Sequence, residues 1–203
     1  MSDAGRKPYM REEIIMEFQE LLKNRRSIRD FQEKDISLGT VTDIISESCL
    51  APSSGNGQPW QFVVINRKET MKRLSDESKK TLLSDIARNP DSPAKKYEEI
   101  LRNGDFNVFY NAPCVVYIIG PRNHRLLNVD CSLFACYFML AAAARGLGTC
   151  WIGLGTNVRH PELMREIGIP EDCRIVAPII IGYPTSVPEP SVRNKPRILK
   201  VVS

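Results

Sequence analysis

The sequence predicts an α+β fold in one domain, a mixed β-sheet flanked by helices. Four short β-prone runs, at 61–65, 115–119, 149–152 and 175–181, are separated by helical patterns of unequal length. That spacing lacks the regular β–α–β alternation of a Rossmann sheet. The run 128–145 is apolar on every helical face, which predicts a helix buried centrally or in a subunit interface. The chain has 203 residues, 42% hydrophobic and 26% charged, enough for one core that buries most of its surface. The proline-rich stretch after Pro184 is too poor in apolar residues to build a second one.

Taken in order, residues 1–10 are polar and read as a loose tail. From Glu12 the residues Ile14, Ile15, Phe18, Leu21 and Leu22 share one helical face, so an amphipathic helix runs to Asn24. Arg25 to Phe31 follows as an extended or turning segment in which three arginines bracket Ser27. Ser37 is placed to cap a helix over 38–50. Residues 50–62 hold two prolines, two glycines, two serines and Asn56, a tightly turned polar loop leading into the first strand. Asn66 is placed to cap a charged helix through Leu83. The stretch 84–111 is the least regular, with one short helix expected over 94–101 and a mobile aromatic cluster of the kind that covers sites. Gly120 and Pro121 end the second strand, Gly146 ends the apolar helix, and Gly168 ends a helix over 161–167.

Composition excludes several functions. A net charge of +4 is too weak and scattered for a nucleic-acid surface. The longest charge-free apolar run, 131–144, is shorter than a membrane span, and the polar N-terminus is unlike a secretory signal. Six cysteines without a Cys-x-x-Cys pair, and only two histidines, argue against zinc and for reduced, mostly buried thiols in a cytoplasmic protein. The glycine pairs at 146/148 and 153/155 lack the third glycine of a dinucleotide fingerprint. Neither a phosphate-loop motif nor a nucleophile elbow is present, and His124 and His160 lie in polar, arginine-flanked loops.

Two basic clusters remain, Arg25 to Arg29 and Lys195 with Arg197, together with the Ser/Gly/Asn loop. Guanidinium forks are preferred partners of phosphate. The inventory suits a cofactor that carries its own reactivity while the protein supplies position and electrostatics.

Five segments in order now mark a resemblance. Residues 25–31, the loop 51–60, Ala112-Pro113 before a strand, Gly146 to Gly153, and the pair Lys195 and Arg197 resemble the nitroreductase family of FMN-dependent oxidoreductases over nearly the whole chain. The resemblance implies a mixed, mainly antiparallel sheet flanked by helices, a single domain over 1–203, and a C-terminal arm from residue 184 extending onto the partner subunit. It implies a homodimer with FMN at the interface. Arg25, Ser27 and Arg29 would hold the phosphate and ribityl chain, with Arg26 contributing side chain or backbone. Pro52, Ser53, Ser54 and Asn56 would come from the partner beside the flavin ring. Trp151, Ile152 and Gly153 would line its other edge, and Lys195 and Arg197 would close on the phosphate. The implied reaction is ping-pong, with hydride from NAD(P)H passing through the flavin to a nitroaromatic, quinone or similar small acceptor. No catalytic side chain and no metal are required. Reductive dehalogenation or flavin modification on the same fold, and a non-enzymatic flavin-binding sensor using Cys150, are the alternatives. Substrate choice would reside in 84–111.

Overall fold

The computed structural model describes residues 18–202; the expected N-terminal tail and the first part of the expected helix from Glu12 lie outside them. Residues 18–24 are helical. The elements that follow are α1 (Leu38–Ser48), β1 (Gln61–Ile65), α2 (Lys68–Arg88), α3 (Glu98–Arg102) and β2 (Cys114–Pro121). They continue with α4 (Leu127–Ala143), β3 (Gly148–Trp151), α5 (Pro161–Glu166) and β4 (Cys173–Gly182). The sheet has the order β1-β2-β4-β3, and all three pairings are antiparallel. An isolated parallel bridge from Ser27 to Thr149 continues it past β3, so the sheet is mixed and mainly antiparallel.

Alternation along the central strands divides the core in two. Val116 and Ile118 of β2 face a layer with α1 and α4, whereas Val115, Tyr117 and Ile119 face a layer with α2, α3 and α5. Opposite Ile118 and Ile119, the register of β4 steps from Ala177 to Ile175, leaving Val176 as the extra residue of a bulge. In the first layer Phe134 of α4 is fully buried, with Phe62, Trp60 and Phe138 rings at 4.6, 5.4 and 6.3 Å.

Several expectations need correction. Helix α4 is not buried all round within one chain. Leu127, Cys131, Phe134, Ala135, Phe138 and Ala142 form its buried face, while Val129 and Tyr137 on the opposite side are 55% and 42% exposed, with Leu133 beside them. Neither expected cap forms: Ser37 precedes α1 without a side-chain bond, and Arg67, not Asn66, occupies the cap position of α2. Helix α2 runs past Leu83 to Arg88 because Ile86 continues its buried face. The stretch 84–111 is packed rather than loose. It forms a 3₁₀ turn (Pro93–Tyr97) and α3, and buries Leu101, Val108 and Phe109 against the sheet.

Polar groups on α2 secure this second layer. Ser75 Oγ accepts from the Val108 N–H at 3.0 Å, and the largely buried Lys79 Nζ donates to Phe106 O at 2.8 Å. Ser78 Oγ donates to Leu154 O. Bidentate pairs from Arg73 to Glu166 and from Arg159 to Asp85 add solvent-screened surface links of little energetic weight.

Candidate functional site

The site is built on the free side of β3. The Ile28 N–H donates to Thr149 O at 2.9 Å, and Ile28 itself is buried. In an extended segment alternate residues share a face, so Ser27 and Arg29 lie on the side opposite Ile28, while Arg25, whose N–H donates to Leu21 O at 3.0 Å, closes the preceding helical turn. Burial pushes the Cys150 thiol up, while Arg29, a hydrogen bond with Ser27, and Arg25 pull it back. The three candidate residues thus lie within electrostatic reach of one residue of β3. The Arg29 guanidinium also sits 5.8 Å from the centre of the Tyr110 ring. Arg26 is half-buried and lines one cavity with Arg25, Ile28 and Thr149. Its guanidinium donates to the carbonyls of Lys23 and Arg25, capping the preceding helical turn.

Close approach of this segment to the sheet depends on Gly148. A Cβ there would lie 2.7–2.8 Å from three atoms of Ile28. Gly148→Ala is therefore expected to push the arginine segment off β3 and destabilise the fold by ~1–3 kcal/mol. Denaturant unfolding checks this, and an unchanged midpoint would contradict the packing described.

Trp151 ends β3 half-buried, and the Ile152 N–H donates to Pro178 O at 2.8 Å. Gly153 then opens a 3₁₀ turn (Gly153–Thr156), with nothing within 4 Å of where its Cβ would stand. The first N–H groups of such a turn lack partners inside it. One chain thus brings two guanidinium groups, a hydroxyl and an open turn to one edge, an arrangement suited to an anion and a flat ring.

The remaining candidates are elsewhere in the chain. Ser54–Asn56 forms a 3₁₀ turn before β1, at the opposite edge of the sheet. Gly55 takes φ +56°, as do Asn56 (+56°) and, nearly, Gln58 (+42°), whereas Gly57 has ordinary negative φ. Ser53 Oγ accepts from Gln58 N–H at 3.0 Å, and Pro52 precedes it exposed. Ser27 lies level with Thr149, Ile181 and Cys114, while β1 begins at Gln61, level with Ile119. Strand spacing and rise put the two groups on the order of 25 Å apart. Lys195 and Arg197 stand exposed on the extended tail. That tail starts paired with residues 30–32, through Gln32 N–H to Tyr183 O and Thr185 N–H to Asp30 O.

Sequence reasoning missed three features here, at Asp130, Tyr110 and Asn111. Asp130 is 1% exposed, and its Oδ1 accepts from the Ser54 N–H at 2.9 Å. A lone carboxylate in an otherwise apolar helix was the available signal. Tyr110 and Asn111 both take left-handed backbone, φ +53° and +51°, which nothing in their local sequence announces. The buried thiols Cys114, Cys131 and Cys150 are poor redox candidates. Burial pushes Cys114 and Cys131 up to about 12, and Cys150 is raised as well, so all three stay protonated near neutrality. Among the described residues, no group of three or more His, Cys, Asp or Glu side chains is placed to hold a metal, and no helix is long and apolar enough to cross a membrane.

Comparison with known proteins agrees with this fold. A nitrobenzene nitroreductase of Ectopseudomonas oleovorans is 28% identical over 203 residues, covering 84% of this chain and 88% of the other. A nitroreductase of Desulfitobacterium hafniense, solved with bound FMN, superposes with a TM-score of 0.77 at 26% identity, covering 91% and 98% of the two chains. A nitroreductase of Bacteroides fragilis, also solved with FMN, gives a TM-score of 0.77 at 23% identity over 90% and 97%. The sequence profile of the Nitroreductase family matches residues 22–183, most of the chain. The chain belongs to the nitroreductase family.

Proposed function

We propose that this protein binds FMN and works as an NAD(P)H-dependent reductase of nitroaromatic, quinone or similar electron-poor acceptors. The observation that carries the reading is that Arg25, Ser27 and Arg29 reach Cys150 of β3, the strand that leads into the open Gly153 turn. The donor set fits the cofactor: two cationic forks and a hydroxyl for a phosphate and ribityl chain, and a glycine edge that a flat ring can approach. When bound, FMN would supply hydride transfer in two half-reactions, reductant first and acceptor second. The chain's own residues would bind and orient. Arg25 and Arg29 would neutralise the phosphate, Ser27 would donate to it or to the ribityl chain, and the Gly153 N–H would be free to donate to the ring. Trp151 and Ile152 exclude water there. The cationic edge favours the more negative, reduced form of a bound redox group. No side-chain acid enters, since solvent can protonate the product.

A two-chain site follows from the same layout. Pro52, Ser53, Ser54 and Asn56, being far from the arginines of their own chain, reach a flavin only as contributions to a twin subunit. The exposed apolar side of α4 supplies a surface for that homodimer. The tail from residue 184 would then carry Lys195 and Arg197 to the partner's phosphate, completing one domain over 1–203 with an arm. The buried, protonated thiols disfavour a sensor role. A cytoplasmic reductase is the reading that unites these features.

Purified protein should be yellow, retain FMN through gel filtration as a dimer, and oxidise NADH or NADPH when a nitroaromatic or quinone is supplied. Failure to hold added FMN would overturn the reading. Turnover confined to a halogenated phenol would move the function to dehalogenation.

A further inference from the structure

We propose that Asp130 is a positioning residue for the flavin: its carboxylate holds the Ser53–Asn56 turn in the shape that packs beside the cofactor of the opposite subunit. This rests on the FMN reading above. The turn is shaped by its own bonds, from Asn56 N–H to Ser53 O and Gly57 N–H to Ser54 O, both at 3.0 Å. Those bonds fix its curl but not its placement. Among the described residues, one side-chain hydrogen bond ties it to another element, Ser54 N–H to Asp130 Oδ1 at 2.9 Å.

That bond is made at a cost. Asp130 is 1% exposed, and its Oδ2 is buried with no hydrogen-bond partner among the described residues. A buried carboxylate that is only half satisfied opposes folding, and an apolar replacement of similar size often stabilises. Stability alone does not account for a carboxylate here; holding the turn does. Its location fits the role. Asp130 lies in the first turn of α4, where the helix dipole favours an anion. Its neighbour Val129 is 55% exposed on the apolar side of the same helix. One turn of α4 therefore offers a surface to a twin subunit and clamps the loop that the twin needs.

The test is FMN titration of Asp130→Ala and Asp130→Asn, with thermal unfolding of the flavin-free proteins beside it. Alanine removes the acceptor, and binding should weaken at least about tenfold while the flavin-free midpoint stays level or rises. Asparagine keeps an oxygen for the Ser54 N–H, and binding should return to within about threefold of the wild type. At saturating FMN, the visible circular dichroism of the alanine variant should still differ from wild type, because the ring has lost an ordered neighbour. Randomly re-mixed Asp130→Ala and Arg29→Ala chains should recover tight binding in about a quarter of all sites, since half of the dimers are mixed and each mixed dimer rebuilds one of its two sites.

Wild-type affinity in Asp130→Ala would overturn the proposal. So would weakening matched by an equal loss of folded protein in both variants, or no recovery on mixing. If the wild-type protein itself holds no FMN, the parent reading fails instead.

Discussion

Replacing Arg25 and Arg29 together by alanine should give a folded but colourless protein. Each guanidinium offers charge-assisted hydrogen bonds worth ~1.5–3 kcal/mol to a phosphate. Losing both should weaken FMN binding by roughly 10²- to 10⁴-fold. The fold should survive because Arg25 is only half-buried and Arg29 is exposed, while the segment is held by Ile28 through its N–H to Thr149 O. Fluorescence titration of FMN against far-UV circular dichroism checks both halves of this expectation. Lysine at both positions should rescue only partly, because a point charge does not reproduce the planar fork. Affinity within about threefold of wild type would show that the arginines are solvated charges and not ligands.

The largest expected stability effect is at Phe134. Its ring is fully buried among Trp60, Phe62 and Phe138. Phe134→Ala should cost ~3–5 kcal/mol by lost transfer energy and a residual cavity. For a chain of this size that lowers the thermal midpoint by roughly 6–20 °C. The measurement belongs on flavin-free protein at one fixed concentration, since ligand and dimerisation both shift the midpoint. Phe134→Leu should cost markedly less. A loss below about 1 kcal/mol for the alanine variant would mean the aromatic cluster is not the centre of this layer.

Much of the fold was legible because strands and helices repeat with different periods. All four strands were found within two residues of their ends, since β-branched runs such as Val115–Val116 leave little choice. Gly153 and the 25–29 segment were legible as a pair only through the family resemblance, and the structure gives the reason: the strand bridge from Ser27 to Thr149 spans more than 120 positions. Caps were misread at Ser37 and Asn66 because a capping residue type does not fix a side-chain rotamer. The apolar pattern of α4 on all faces was read as burial all round, whereas Val129, Leu133 and Tyr137 are exposed in the single chain. The sequence cannot say that one side meets the sheet and the other is left open in a single chain. Asp130 was overlooked because its partner is a backbone N–H, and backbone groups leave no trace in residue identity. The region 84–111 looked loose because its anchors are buried singly, by Leu101, Val108 and Phe109, without a repeat.

The polar face of α2 has a consequence for motion. Ser75, Ser78 and Lys79 grip three different carbonyl or amide groups, two in the 106–108 stretch and one at Leu154. Local opening in proteins follows such shared anchors. The two segments released when α2 shifts are the one flanking Tyr110 and the one carrying Gly153. Fluctuations at the 106–108 stretch are thereby linked to the Gly153–Thr156 turn, and the pair should breathe as a single cooperative unit rather than as two independent loops.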